Sequence, residues 1–187
     1  MSEPKSYKKA AILGPGLIGA SLGLVLRRKG LAGQVVGLAR RQSTLDRAQE
    51  AGAIDEGTTR VEAALEGADL VFYAVPVRAA LRLIEETGKN AMLLGRERRP
   101  LLTDACSTKA EVMTAARRYL PEGVDFVPGH PMAGSEASGP EHAKAGLFEG
   151  ANWILTPEKG VKAEAIAAVK EIIRAAGAKH IVMSAKE

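Results

Sequence analysis

The sequence predicts an α/β fold with a doubly wound, mostly parallel sheet, and three observations carry that prediction. Short apolar runs alternate with helix-period segments along the chain. One of them, residues 69–75, is continuously apolar after its first residue, as in a parallel strand covered on both faces. Polar or glycine-rich clusters follow the carboxyl ends of four such runs: GPGLIG after AAIL, AVPV after DLVFY, TDACSTK after PLL, and GHPMAGSEASG after residues 124–127. In an open parallel sheet, ligands gather beyond the carboxyl ends of the strands, so the four clusters would open onto one crevice.

Each element has a local reason. After a polar tail, residues 1–8, the first strand is expected over 9–13 and a helix over 17–29, stopped at Gly30. A second strand follows at 34–39, a helix at 44–51 stopped at Gly52, a short strand at 54–58 and a short helix at 61–65. Residues 69–75 form the next strand, 77–86 and onward a helix, 101–104 a strand, 109–120 a helix stopped by Pro121, and 125–128 a strand. Residues 129–150, rich in Gly, Pro, Ser and Ala, read as a long loop with short helical pieces, a kind of loop that usually serves function. A strand at 152–156, a helix ending at Gly177 and a strand at 178–183 complete the pattern. Right-handed crossovers join such units. The whole chain, 1–187, reads as one dinucleotide-binding domain.

Composition narrows the function. With 46% apolar and 26% charged residues the chain is ordinary for a soluble globular protein. Its net charge of +4 is spread out, and the densest basic cluster, RERR at 96–99, reads as a solvated turn. Three Phe, three Tyr and one Trp make no stacking platform, so nucleic acid is not expected as a partner. A single cysteine, Cys106, permits no internal disulfide, and no Cys/His cluster has metal-site spacing. No run approaches a membrane span and the N-terminus lacks a signal-peptide core, so a cytoplasmic protein with no membrane partner is expected.

Gly14, Gly16 and Gly19 match the dinucleotide fingerprint: a tight turn, a close backbone approach to pyrophosphate, and helix-on-strand packing. Leu17, Ile18 and Gly19 would offer backbone N–H groups at the helix start, and Val75 and Pro76 would line the cofactor from the neighbouring strand end. The carboxylate that binds an NAD ribose about 20 residues on is missing; Ala39, Arg40 and Arg41 stand there, with Ser43 and Thr44 behind. A guanidinium pairs well with a 2′-phosphate, so Arg40, Arg41 and Thr44 favour NADP while leaving NAD possible. Arg40 stacked on adenine in either cofactor, with Arg41 solvated, is the plainer alternative.

His130 is the candidate proton acceptor, because a neutral imidazole beyond a strand end faces the crevice. His142 and His180 lack that context and read as surface or loop residues.

The glycine loop with LIGASLG, the DLVFYAVPV strand end, TDACSTK, and above all GHPMAGSEASG followed by LFEGANWILTP together resemble the prephenate dehydrogenase family, arogenate dehydrogenases included. The resemblance runs from Lys9 to about Glu187 and implies a Rossmann-type domain and a small-molecule substrate, prephenate or arogenate. The implied reaction is oxidative decarboxylation of a cyclohexadienyl ring on the route to tyrosine. It also implies that His130 takes the proton of the ring hydroxyl and that Ser107 orients that hydroxyl, with a helix cap as Ser107's other reading. Gly134 and Ser135 would shape a mobile substrate loop. Glu136 would be its acidic residue or simply exposed, and Lys109 is either a supporting partner behind the site or a solvated lysine. Cys106 is expected to pack rather than react. The family's C-terminal helical domain, which forms the homodimer and completes the pocket, is absent from this sequence. The chain therefore reads as the nucleotide-binding part, expected to be inactive alone, with a non-catalytic nucleotide-binding module or another reductase of the same fold as the alternative readings.

Overall fold

A computed structural model describes residues 7–95 and 100–184. Six parallel strands, β1 (Tyr7–Leu13), β2 (Ala32–Leu38), β3 (Glu56–Thr58), β4 (Leu70–Tyr73), β5 (Leu101–Asp104) and β6 (Asp125–Val127), lie in the order β3-β2-β1-β4-β5-β6. The order reverses between β1 and β4, the switch point beside which doubly wound sheets bind ligands. The first strand begins two residues before its expected start, at Tyr7, whose side chain is buried. Residues 1–6 of that tail and the RERR cluster lie outside the described residues.

The helices are α1 (Leu17–Arg28), α2 (Gln42–Glu50), α3 (Val61–Leu65), α4 (Val77–Lys89), α5 (Ala110–Tyr119) and α6 (Ala163–Ala175). Leu22, Val25 and Leu26 of α1, Leu45 of α2 and Ile172 of α6 cover one face of the sheet, where Ile12 and Phe72 are buried. Leu65 of α3, Ile84 of α4 and Val112 of α5 cover the other, with Leu13, Val71 and Tyr73. Burial on both faces is why β4 needs four apolar residues in succession.

Three helices stop by one device. Gly30, Gly52 and Gly177 take φ of +63°, +70° and +76°. Each donates its N–H to the carbonyl three residues back, while the following residue donates five back, as Leu31 does to Leu26 at 2.8 Å.

The parallel sheet does not continue to the end of the chain. The 129–150 segment is not all loop: it opens with a strand, β7 (Gly129–Pro131), followed by 3-10 turns at Pro140–His142 and Ala145–Phe148. β7 pairs antiparallel with β8 (Asn152–Leu155), which pairs in parallel with β9 (Lys179–Val182), so the last two expected strands belong to a separate sheet. Trp153 of β8 joins the two sheets, its ring centroid 6.2 Å from Phe72 and 5.0 Å from Phe148 in a shared core.

Candidate active site

The glycine loop between β1 and α1 divides its work among three positions. A Cβ on Gly14, whose φ is +95°, would meet the Ala74 carbonyl oxygen at 2.6 Å, and one on Gly19 would meet Ile12 Cγ2 at 2.9 Å. These two glycines let strand, loop and helix close on one another. A Cβ on Gly16 would meet nothing within 4 Å, so this residue leaves the backbone bare on an open side. The first hydrogen bond of α1 is Ala20 N–H to the Gly16 carbonyl at 2.8 Å, and the first turn holds no acidic residue. The amides of Leu17, Ile18 and Gly19 precede that bond, at the electropositive end of the helix, which suits an anion.

Arg40 follows β2 and is exposed, Arg41 is the N-cap of α2, and Thr44 is half-buried with its N–H on the Arg41 carbonyl at 3.1 Å. Residues 39–44 contain no carboxylate. Leu38 pairs in register with Thr58, and Arg40 and Arg60, both exposed, each stand two residues beyond that pair.

A continuous set of contacts leads from the glycine loop to His130. Val75, half-buried, packs where a Gly14 side chain would go, and Pro76 caps α4. The Val75 carbonyl accepts from the Cys106 thiol at 3.7 Å, and Cys106 N–H donates to Asp104 Oδ2 at 2.9 Å. Asp104 Oδ1 accepts the N–H of Gly129, the residue before His130, at 3.1 Å. Lys109 donates from Nζ both to Asp104 Oδ2 and to the Gly129 carbonyl. The Asp104 side chain is fully buried and that of Lys109 is 9% exposed.

His130 is half-buried on β7, opposite Ile154. Its desolvation, then the Lys109 ammonium, push its pKa below the ordinary value of 6.5, with Asp104 opposing. The shift favours the neutral imidazole, the form able to accept a proton, at neutral pH. Burial, followed by the Asp104 charge, pushes the Cys106 thiol up to about 12, so this cysteine packs and stays protonated.

Not every expected site residue joins this group. Ser107 is exposed and does not cap α5, whose N-cap is Lys109; the cap reading of the serine is therefore wrong. Gly134, Ser135 and Glu136 lie in an exposed loop, where Ser135 Oγ accepts the Ala137 N–H at 3.2 Å. His142 and His180 are exposed, the latter on β9. The reading of Lys109 as solvated fails, and Asp104 escaped notice as a site residue altogether. The available signal was an aspartate at the carboxyl end of a buried strand with a lysine five residues on. Among the described residues, no helix is long and apolar enough to cross a membrane, and no three His, Cys, Asp or Glu side chains gather as for a metal ion.

Comparison with known proteins agrees with this fold. The family model of the prephenate dehydrogenase nucleotide-binding domain matches residues 22–182. The prephenate dehydrogenase of Bacillus subtilis is 34% identical over 94% of this chain and 46% of its own length. The cyclohexadienyl dehydrogenase of Zymomonas mobilis is 32% identical over 96% of this chain and 59% of its own. The chain thus spans about half the length of these curated relatives. Among solved structures, prephenate dehydrogenase from Aquifex aeolicus in complex with hydroxyphenyl propionate and NAD+ superposes with a TM-score of 0.86 at 30% identity, over 98% of this chain and 62% of that one. Synechocystis arogenate dehydrogenase superposes with a TM-score of 0.82 at 30% identity, over 94% and 59%.

Proposed function

The chain belongs to the prephenate dehydrogenase family, as its nucleotide-binding domain, and we propose that it binds a nicotinamide dinucleotide, NADP before NAD, and carries the proton acceptor for oxidation of prephenate or arogenate in the cytoplasm. One observation carries this reading: the bare backbone at Gly16 and the half-buried, neutral His130 stand at the same carboxyl end of the sheet, linked through Val75, Cys106 and Asp104.

The residues present fit the dinucleotide. Gly16 leaves room for a pyrophosphate against the first amides of α1, and Arg40 and Arg41 offer guanidinium groups to a 2′-phosphate where a ribose-binding carboxylate would repel it. When bound, the cofactor supplies a hydride acceptor. His130 accepts the proton of the ring hydroxyl as the hydride leaves the carbon bearing it. Carbon dioxide leaves the opposite ring carbon with its bonding electrons going to the ring, which becomes aromatic. Ser107, exposed at the mouth of the β5–α5 loop, orients the hydroxyl, and Gly134, Ser135 and Glu136 form the loop over the substrate.

Calorimetric titration with each dinucleotide tests the cofactor half of this reading. Arg40→Asp weakens NADP(H) binding by at least about 1.5 kcal/mol, since it deletes a charge-assisted contact and adds repulsion, and weakens NAD(H) less. Equal losses would show that Arg40 does not read the phosphate, and absence of binding by the parent chain would overturn the reading. In the whole protein, His130→Ala lowers kcat by roughly two to four orders of magnitude.

A further inference from the structure

β7 is only three residues long, yet it holds the side chain on which the chemistry depends. It pairs with β8 along one edge alone. Thr156 N–H donates to the Pro128 carbonyl at 3.0 Å and Met132 N–H to the Asn152 carbonyl at 2.8 Å, so the backbone groups of Gly129, in a non-hydrogen-bonded pair with Leu155, point the other way. Among the described residues, no strand lies there to meet them. The Gly129 N–H goes to Asp104 Oδ1 and its carbonyl receives Lys109 Nζ. An ion pair between two buried side chains thus takes the place of a neighbouring strand. The fit is close, since a Cβ on Gly129 would meet Trp153 Nε1 at 2.9 Å and the Asp104 carbonyl oxygen at 3.0 Å.

We propose that Lys109 is a positioning residue for His130: paired with Asp104, it clamps both backbone groups of Gly129 and so fixes where the next residue presents its imidazole. The ammonium never enters the proton path. It acts on His130 through the backbone and through space, its repulsion helping to keep the imidazole unprotonated while Asp104 acts in the opposite sense. A buried pair of this kind adds little net stability, because desolvation offsets its attraction, but removing one partner leaves an uncompensated charge. That asymmetry makes it better suited to fixing geometry than to holding the fold. The functional significance rests on His130 being the proton acceptor, whereas the test below does not require turnover.

The experiment is NMR on the 187-residue chain, following the imidazole titration of His130 and amide exchange at Gly129 and His130. In Lys109→Met the His130 midpoint rises by about one pH unit, as a repelling charge is lost and a carboxylate is left unpaired. Exchange at the two amides quickens by about tenfold or more, while amides of β1 and β4 keep their protection. Lys109→Arg, which keeps the charge, returns the midpoint toward that of the parent. An unchanged midpoint together with unchanged exchange in Lys109→Met overturns the proposal. If Lys109→Met fails to fold, the neutral double variant Asp104→Asn/Lys109→Met removes the buried charge; quickened exchange confined to Gly129 and His130 then supports the clamp, and parent-like protection there overturns it. Failure of the dehydrogenase reading would show separately, as absent dinucleotide binding with the clamp intact.

Discussion

Ser21 Oγ, in the middle of α1, accepts the backbone N–H of Lys144 at 3.0 Å, tying the helix behind the glycine loop to a segment 123 residues farther along. Around this bond Ala143 and Ala145 pack on Ala20, Leu24 and Ala53, and Arg47 of α2 pairs with Glu141 at 2.9 Å. The sequence after the His130 motif is thereby folded back over the nucleotide helix, so both ends of the candidate substrate loop are anchored, one in β7 and the other on α1.

Ser21→Ala removes the acceptor from a fully buried position. It lowers stability by about 1 kcal/mol and speeds amide exchange at Lys144, with little effect at β5. Denaturant melts and exchange measurements on the variant check this; unchanged exchange at Lys144 would mean that the alanine contacts alone hold the segment.

The two loop glycines should separate folding from binding. Gly14→Ala combines a positive φ with a collision at the Ala74 carbonyl and costs about 2 kcal/mol or more of stability. Gly16→Ala meets no protein atom, leaves stability within about 0.5 kcal/mol, and weakens dinucleotide binding by at least about tenfold by filling the side from which the phosphates approach. Thermal melts beside calorimetry distinguish the two, and intact affinity in the Gly16 variant would place the pyrophosphate elsewhere.

His130 gives the chain a pH dependence of definite sign. Its folded pKa lies below the ordinary 6.5, so between those two values the unfolded chain binds the extra proton. The associated stability is fully present above about pH 6.5 and is lost as pH falls through the folded value. His130→Gln flattens that part of the profile. Denaturant melts from neutral to mildly acidic pH read the difference, which is modest because the ring is half-exposed to solvent. A parallel profile in the variant would assign the acid sensitivity to another group.

Cys106 should be silent in the native protein. Its thiol, pushed up to about 12 and donating to the Val75 carbonyl, reacts with a disulfide reagent at pH 8 at least about a hundredfold more slowly than in the denatured chain. Comparable rates with and without denaturant would show that the β5–α5 turn opens readily.

Much of this protein was determined by its sequence alone, because the forces concerned act over a few residues. Apolar period and length set β1 through β6 and the six helices, and glycines at 30, 52 and 177 stopped three of those helices through left-handed geometry that other residues resist. The Gly14, Gly16 and Gly19 spacing announced the tight turn between β1 and α1 for the same local reason. The tertiary structure decided the rest. Three residues of β7 carry no readable alternation, and they become a strand because β8 and a buried ion pair satisfy their two edges. Lys109 could be read either as a supporting partner or as a solvated helix-start lysine until Gly129, twenty residues on, brought its carbonyl to the ammonium. Burial and pairing across such separations depend on which surfaces the folded chain brings together, and local periodicity holds no record of that choice.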